Sequence, residues 1–437
     1  MNTNIFCAGM ALALTSLVAS CGLFDDDDEK LQGERIRIRQ AQSQPTLATG
    51  GGAAIPAPVQ STSWTQTNGN ASHASGHLAG PSTLSRAWTA DAGTGGSGVG
   101  AITSGPIIIG GRVFTMDAGS QISAFDAGGG SVAWRTEIAP EGEDGEDGFG
   151  GGIAAEGQRI FATTGFGEVV ALSAASGEVL WRQRGTAPYR AAPAVLRGTV
   201  VAVTRDNQAV ALDANTGDLV WRVAGIAGEA GLLGGASPAI AGDLAVLPFG
   251  SGEVQGVQLS TGRQIWTAVL GGARRGVARS AISDVTGDPV IAGRAVITAN
   301  QSGRMVAIDG QTGRRGWTRS IGSSGPLWAA GDSLFLVSDN AEVLRLTLQS
   351  GQTIWRTELP AFEDPEDRED PIAYSGPVLT GGRLLVTDSL GNLLSLDPAT
   401  GEQGATVDLT DGGTSGVSVA GNTVYVLTDD GTLQAFR

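Results

Sequence analysis

Short runs in which apolar and polar residues alternate recur along most of the chain. "GRVFTMD" begins at residue 111 and "NTVYVLTDDGTLQAF" begins at residue 422, and both end in or contain turn-forming residues. Alternation with a period of two is typical of half-buried strands, whereas an amphipathic helix needs apolar residues spaced three or four apart. The pattern therefore predicts an almost all-β protein.

A glycine followed four residues later by a tryptophan marks a repeated unit. The pairs are Gly130/Trp134, Gly177/Trp181, Gly217/Trp221, Gly262/Trp266, Gly313/Trp317 and Gly351/Trp355, and a seventh copy has Gly401 with Ala405. Glycine suits a turn position with positive φ, and an Asp four residues earlier can accept hydrogen bonds from turn amides. That Asp is present in four copies, as Asp126, Asp213, Asp309 and Asp397. Spacings of this kind indicate a repeat protein.

Each repeat divides into four short strands, of which the first follows a small-small-Pro turn such as "SGP" at residue 104. Four-stranded units of about 45 residues are typical of a β-propeller. An eighth unit stops at Arg437 before its last strand, while Trp88 precedes Trp134 by 46 residues, one repeat length. We therefore predict an eight-bladed β-propeller whose ring is closed by an N-terminal strand. The tryptophans should pack between blades: Trp88, Trp134, Trp181, Trp221, Trp266, Trp317 and Trp355.

The N-terminus has the pattern of an export signal. Residues 5–20 are apolar and end in small residues, and "VASC" at 18–21 resembles a bacterial lipobox. We expect a signal peptide at 1–20, a lipid on Cys21, a flexible tether over 21–61 and the propeller over 62–437. Gly22 after the cysteine, by resemblance to enteric lipoproteins, implies the periplasmic face of the outer membrane. An ordinary cleaved signal is the alternative.

Charge and residue types limit the chemistry that the chain can perform. It has 44 acidic and 28 basic residues, a net charge of −16 and one lysine, so nucleic acid is an unfavourable partner. Both cysteines lie in the first 21 residues, and His73 and His77 are the two histidines. The blades therefore lack a histidine acid–base pair and a multi-histidine metal site. We predict no enzyme activity and no cofactor.

Two alternatives for metal binding remain open. The acidic runs at 141–148 and 363–370 read as solvated loops, with calcium binding as the less favoured interpretation. "HASGH" at 73–77 offers two zinc ligands on a glycine-containing segment, which make a poor site.

The "ALDAxTGxxxW" pattern resembles the PQQ-enzyme repeat, whose family includes quinoprotein dehydrogenases and non-catalytic relatives. With the lipobox, the tether, eight units and "WTQTNGNASH" at 64–73, the chain resembles the BamB family of outer-membrane protein assembly factors. The resemblance implies a non-catalytic scaffold lipoprotein that docks on the periplasmic domains of the central barrel subunit. Direct binding of unfolded client chains is left open. Alternatives are a PQQ-dependent dehydrogenase and an envelope polysaccharide-binding propeller.

The resemblance also implies a partner surface on two loops, at 229–238 and 278–289. The residues that it assigns to partner binding are Leu232, Leu233, Arg279, Ser283, Asp284 and Val285. The chain departs from the family pattern in two places, because Leu233 stands in place of an arginine and Thr286 in place of a second aspartate. Asp288 and Arg279 are the candidates to compensate for these changes.

Overall fold

The computed structural model describes residues 54–96, 101–148, 150–227, 234–270 and 284–437. Cys21, the expected signal peptide and most of the expected tether lie outside these ranges. The described residues form eight four-stranded antiparallel sheets, a two-stranded hairpin and two short 3-10 helices, Thr67–Gly69 and Gly145–Asp147. None of the helices in these ranges has the length and apolar character needed to span a membrane.

The strands are numbered in chain order and the blades in the order of their first strands. Blade 1 contains β2 (Ile107–Ile109), β3 (Arg112–Met116), β4 (Gln121–Asp126) and β5 (Val132–Glu137). Blade 2 contains β6 (Gly151–Glu156), β7 (Arg159–Thr164), β8 (Glu168–Ser173) and β9 (Val179–Arg184). Blade 3 contains β10 (Ala194–Leu196), β11 (Thr199–Val203), β12 (Gln208–Asp213) and β13 (Leu219–Ala224). Blade 4 contains β14 (Ala239–Ala241), β15 (Leu244–Pro248), β16 (Glu253–Gln258) and β17 (Gln264–Val269).

The remaining blades follow the same order. Blade 5 contains β18 (Val285–Ala292), β19 (Ala295–Asn300), β20 (Arg304–Asp309) and β21 (Arg315–Arg319). Blade 6 contains β22 (Trp328–Ala330), β23 (Ser333–Val337), β24 (Glu342–Thr347) and β25 (Thr353–Glu358). Blade 7 contains β28 (Tyr374–Thr380), β29 (Arg383–Asp388), β30 (Asn392–Leu396) and β31 (Gln403–Asp408). Blade 8 combines β32 (Val417–Ala420), β33 (Thr423–Leu427) and β34 (Thr432–Phe436) with the N-terminal strand β1 (Arg86–Asp91).

Blade 8 confirms that the N-terminal strand closes the ring. β1 pairs antiparallel with β34, with Trp88 opposite Ala435 and Ala90 opposite Leu433. The backbone groups of β34, which would otherwise form an open edge, are bonded to a strand from the other end of the chain. The predicted eight-bladed all-β architecture is therefore the observed one.

The repeated tryptophans pack across the boundary between neighbouring blades, as predicted. Each lies over the turn glycine of the next blade; a Cβ added to Gly217 would stand 2.7 Å from the ring of Trp181. All seven turn glycines have positive φ, between 65° and 78°. Glycine is therefore required twice, for the backbone conformation and for the space that the ring fills. Six indole N–H groups donate to a backbone carbonyl of the next blade, and that of Trp88 has no partner among the described residues.

The two acidic runs form local structure on the surface. The first contains the short helix Gly145–Asp147, which Asp144 caps by accepting from the amide of Glu146. The second forms a hairpin of β26 (Phe362–Asp364) and β27 (Glu369–Pro371), in which Asp364 accepts from two turn amides. Their carboxylates bond backbone amides of their own turns, and no group of three or more potential metal ligands occurs in the described ranges.

The first strands of neighbouring blades contact one another and line a central channel. Because the strands of each blade are antiparallel, the ring has two different ends. The opening face carries the turns that lead into the first strands, such as 104–106 and 287–289. The turn face carries the glycine–tryptophan turns together with the turns that join first and second strands.

A segment without a repeat pattern, the channel loop (residues 59–79), closes the channel toward the turn face. Its two ends pair with each other, since the amide of Val59 donates to His77 and the amide of Ala79 donates to Val59, both at 2.8 Å. Val59 and Ser61 fall within the expected tether, yet both form backbone hydrogen bonds. The loop therefore makes a complete circuit inside the ring.

The channel loop is hydrogen-bonded to every blade. In the order of blades 8, 1, 2 and 3, the bonded pairs are Ser61 with Gly421, Trp64 with Ile108, Thr65 with Ala155 and Gln66 with Val195. For blades 4 to 7 they are Ala71 with Ile240, Ser72 with Ile291, Gly76 with Trp328 and Leu78 with Leu379. Trp64 also stacks on Trp328 with ring centroids 5.9 Å apart. The sequence "WTQTNGNASH" is thus the middle of this loop.

Candidate functional site

The two loops implied as a partner surface meet the ring at the opening face, next to each other. The first leads into β14 of blade 4 and the second into β18 of blade 5. Residues 228–233 and 271–283, which include the first part of each loop, lie outside the described residues, and with them Leu232, Leu233, Arg279 and Ser283. The structure therefore locates the last part of each loop, 234–238 and 284–289.

One arginine joins the ends of both loops. Arg190, in the segment that opens blade 3, forms a buried ion pair with Asp284, the residue just before β18. Its guanidinium also lies against Gly235, where an added Cβ would stand 2.7 Å from Nε, and against Gly250, where it would stand 2.9 Å from Nη1. Side chains at these two positions would displace the arginine. Arg190 therefore fixes the loop ends of blades 4 and 5 relative to blade 3.

The ion pair corrects the expected role of Asp284 and Val285. Both side chains are completely buried, Asp284 against Arg190 and Val285 in a cluster with Ala236 and Leu270. Neither presents its side chain to a partner, because the charge of one is used by Arg190 and the other fills the core. They hold the loop ends, and removing either member of a buried ion pair typically costs about 3 to 5 kcal/mol.

Two exposed apolar side chains, Ile226 and Val269, lie beside these loops. Nine large apolar side chains of the described residues are exposed, and five of them lie on or just after the outer strands of blades 3 and 4. The five are Leu219, Val220, Ile226, Ile265 and Val269. β17 carries no charged residue, and β13 carries one, Arg222. Ile226 and Val269 lie where the outer strands lead into the loops, whereas the other three lie near the turn face. Exposed apolar side chains next to loops are typical of interaction sites.

The second candidate site is a cavity of about 300 Å³ that opens on the opening face. Trp64 and Gln66 to Asn68 of the channel loop form its floor, and the blade-opening turns form its walls. Its described lining includes Asp288 and several hydroxyl groups but no Lys, Arg or His. A polyanionic quinone such as PQQ needs cationic partners, which these residues do not provide. The lining therefore does not fit that cofactor.

Asp288 belongs to this cavity and not to the outer surface. Its carboxylate accepts from the amide of Ser237 at 2.7 Å and from Nδ2 of Asn68 at 3.5 Å. Burial raises the pKa of Asp288 to about 6, and these two hydrogen bonds oppose that effect. The suggestion that Asp288 replaces the missing surface aspartate is wrong, because its carboxylate faces the channel.

The two histidines act as anchors of the channel loop. Nδ1 of His73 bonds the carbonyl of Pro289 at 2.8 Å, and Nδ1 of His77 bonds the carbonyl of Pro56 at 2.6 Å. Burial lowers the pKa of His73 to about 4, so that it stays neutral at physiological pH. Nε2 of His77 accepts from the amide of Gly382. With these partners, the two rings serve separate blades and do not form a shared zinc site.

Known structures share this architecture. A crystal structure of BamB from Moraxella catarrhalis matches with a TM-score of 0.68 and 20% identity, over 81% of this chain and 100% of that chain. A quinohemoprotein alcohol dehydrogenase from Comamonas testosteroni matches with a TM-score of 0.66 and 13% identity. Similar scores for proteins with such different names show that these matches establish the fold alone.

Sequence comparison distinguishes between the BamB family and the quinohemoprotein dehydrogenases. The chain is 27% identical to outer membrane protein assembly factor BamB of Burkholderia pseudomallei, over 81% of this chain and 88% of the relative. It is 28% identical to the protein of the same name from Legionella pneumophila, over 45% of this chain, and there it spans about half (49%) of the relative's length. The profile of the family described as outer membrane protein assembly factor BamB matches residues 118–357 and 363–437. The chain therefore belongs to the outer membrane protein assembly factor BamB family.

Proposed function

We propose that this protein is a non-catalytic, lipid-anchored scaffold of the outer-membrane β-barrel assembly machinery, which docks on the periplasmic domains of the central barrel subunit. The observations that carry the docking site are the exposed Ile226 and Val269, where the outer strands of blades 3 and 4 lead into the loops, and the ion pair at the loop ends. Membership of the BamB family supports the assignment to this machinery.

Arg190 and Asp284 would give the docking surface its shape. A buried ion pair is weak support for stability by itself, because desolvation offsets the attraction. Here it joins segments 94 residues apart, at the point where two loops leave the ring. We infer that the pair fixes the described loop ends, 234–238 and 284–289, relative to blade 3, and that Leu232 and Leu233 are the apolar anchors for the partner.

The proposed anchor would connect to the other end of the ring. The described chain starts near the turn face, where Pro56 lies against Gly331 between the first two strands of blade 6. A lipid on Cys21 would then be joined to the propeller at the turn face.

Titration of the purified periplasmic domains of the barrel subunit against the propeller tests the docking site. Leu232→Ala combined with Leu233→Ala should weaken binding tenfold or more, since about 1.4 kcal/mol corresponds to a factor of ten. Leu180→Ala is the matched control, because Leu180 is an exposed leucine on the outer strand of blade 2. Equal affinities for the double variant and the control would move the interface elsewhere on the ring.

The ion pair needs a separate experiment, since Asp284→Arg would place two cations together inside the protein. Asp284→Leu combined with Arg190→Met removes both charges, and apolar replacement of a buried pair is often neutral for stability. If the pair positions the loops, this variant should melt near the wild-type temperature but bind the barrel subunit several-fold more weakly. Wild-type affinity in the folded double variant would rule out a positioning role.

Two further measurements separate this function from its alternatives. Co-purification from detergent-solubilised envelope should recover barrel-assembly subunits, whereas recovery of glycan would favour a polysaccharide-binding propeller. Reduction of a dye after addition of PQQ and calcium would favour a dehydrogenase, which the absence of cations among the described lining residues argues against. Mass spectrometry of the mature N-terminus would test the lipid, and Cys21→Ser should release the protein into the soluble periplasmic fraction.

A further inference from the structure

The blade-opening turns differ at one position in a way that the repeat does not require. Six of these turns end in proline, and the middle residue is Gly105, Ala192, Ser237, Gly325 or Gly376 in five of them. Blade 5 has Asp288 at this position, and its side chain lines the cavity at the channel opening. One blade thus supplies a carboxylate where the others supply a small neutral residue.

The hydrogen bonds of Asp288 do not explain why an acidic residue, and not a neutral one, stands at this position. The amide of Ser237 needs one acceptor, and an asparagine oxygen would satisfy it at 2.7 Å as well as a carboxylate does. The contact with Asn68 is long, at 3.5 Å, and leaves capacity on the second carboxylate oxygen. An enclosed carboxylate costs free energy unless a cation or strong donors compensate it. No cation is present among the described residues of the lining.

The remaining lining suits the polar head of a small cation. Hydroxyl groups from several blades reach the cavity, including those of Ser104, Ser324 and Ser375, and each can accept a hydrogen bond. The apolar residues Ile107, Ile153 and Val378 offer contact for a short alkyl chain. The channel loop closes the floor, so that a ligand can enter only from the opening face.

We propose that the channel cavity is a binding site for an organic cation, an alkylammonium or guanidinium group held by the carboxylate of Asp288. A volume of about 300 Å³ accommodates a group of the size of a lysine or arginine side chain. The cation has two possible sources, a free amine or a basic side chain of another protein. Asp288 and Ser237 belong to the two loops of the proposed docking surface, but the carboxylate of Asp288 lines the channel cavity.

Binding should require the ionised carboxylate. The other titratable groups that face this region are Tyr374 in the wall and His73 beneath Pro289, with pKa values of about 12 and about 4. Both stay neutral between pH 5 and 7.5. The Arg190–Asp284 pair lies behind Gly235, and the charges of its two members neutralise each other. Because the pKa of Asp288 is about 6, cation affinity should fall several-fold between pH 7.5 and pH 5.

The test uses the folded propeller and two probes of equal size, n-butylamine and n-butanol, observed through the amide resonance of Ser237 and by calorimetry. Wild-type protein should bind the amine at least tenfold more tightly than the alcohol. Asp288→Asn, which keeps the acceptor for Ser237, should lose at least tenfold in amine affinity. Asp218→Asn changes the net charge equally at an exposed turn on the turn face and should bind the amine like the wild type.

A second pair of probes distinguishes the sources. These probes are an acetylated Gly-Lys-Gly amide and the same peptide with norleucine in place of lysine. If a basic protein side chain can enter the cavity, the lysine peptide should bind at least tenfold more tightly than the norleucine peptide. Binding of butylamine without the lysine peptide would indicate a free amine. Equal binding of amine and alcohol, unchanged affinity in Asp288→Asn, or no binding of either cationic probe would each overturn the proposal. The wild-type comparison of amine with alcohol remains decisive even if Asp288→Asn fails to fold.

Discussion

The closing strand and the channel loop both tie the N-terminal part of the chain to the ring, but they do so by different bonds. β1 adds to one blade through a regular ladder with β34. The channel loop has no regular ladder and instead forms one or a few hydrogen bonds with each of the eight blades. The strand completes one sheet, whereas the loop links eight sheets that otherwise contact only their neighbours. The propeller is therefore closed at one blade by β1 and across all blades by the channel loop.

The aromatic anchors of the two regions differ in the same way. Trp88 in β1 is half-buried and its indole N–H has no partner among the described residues. Trp64 in the channel loop is 4% exposed, stacks on Trp328 and pairs through its backbone with Ile108. The loop, although it lacks the repeat pattern, has the better-buried anchor. This difference indicates that the loop contributes at least as much to stability as the strand does.

The largest effect should come from truncation. Four chains of decreasing length compare the two regions. The chains that begin at residues 22 and 54 keep both regions, and the second of them lacks most of the tether. The chain that begins at residue 82 lacks the channel loop, and the chain that begins at residue 93 lacks both the loop and β1. We expect the first two to melt alike, the third to melt well below them, and the fourth to lose more than about 5 kcal/mol, which is comparable with a typical total stability. Calorimetry measures this order. Equal melting of the chains from 54 and 82 would show that the loop contributes nothing.

Single tryptophan replacements compare the two regions without removing a segment. Trp64→Ala should cost about 3 to 5 kcal/mol, as for other buried aromatic residues. Trp88→Ala should cost about 2 kcal/mol, because its ring is half-buried and forms no hydrogen bond that would be lost. Urea unfolding of both variants gives the difference. A larger loss for Trp88→Ala would reverse the conclusion drawn from burial.

The pH dependence of stability tests the channel loop alone. His73, with its pKa lowered to about 4, contributes stability that is present above pH 6.5 and lost as the pH falls toward 4. Asp288, with its pKa raised to about 6, contributes stability that is present at pH 3.8 and lost as the pH rises through 6. The two contributions, about 3 kcal/mol each, oppose each other in the wild type.

Variants should separate these contributions. Relative to the wild type, His73→Asn should gain stability as the pH falls from 6.5 to 4.5, whereas Asp288→Asn should lose stability over the same range. Urea unfolding free energies at pH 7, 5.5 and 4.5 measure both trends. Parallel curves for the wild type and both variants would contradict the burial of these two groups.

The smallest expected effect concerns the contact between Trp88 and the first turn glycine. Gly130 and Gly198 have nearly the same φ, 75° and 74°, but an added Cβ would stand 2.5 Å from Cε3 of Trp88 at Gly130 and touch nothing at Gly198. Gly198→Ala should cost about 1 kcal/mol for its backbone conformation. Gly130→Ala should cost about 1 to 2 kcal/mol more, because the ring must move. Equal losses in thermal unfolding would mean that Trp88 moves freely.

The sequence predicted the parts of this protein in which the same local contacts recur. Alternation predicted the strands, and the glycine–tryptophan spacing predicted the blades, since each tryptophan meets the glycine of the next unit. The position of Trp88, one repeat length before Trp134, was sufficient to predict the closing strand. These inferences succeeded because each repeat packs against the next repeat, so that the contact partners recur at a fixed spacing in the sequence.

The docking residues were harder to predict. The resemblance implied a partner-binding role for Asp284, but its ion-pair partner Arg190 lies 94 residues away and belongs to no motif. Asp288 was recognisable as the exception among the blade-opening turns. That its side chain faces the channel, however, could be seen only from the geometry of blade 5.

The sequence by itself determined the strand order, the number of blades and the manner of ring closure, because period, turn residues and interblade contacts are local or repeated. Only the tertiary structure decided the path of the channel loop, the pairing of Arg190 with Asp284 and the contact between Asn68 and Asp288, 220 residues apart. The groups that the loop bonds come from eight separate blades, and most of them are backbone amides and carbonyls. They lie close together only after the ring has closed, and no spacing along the chain encodes that arrangement.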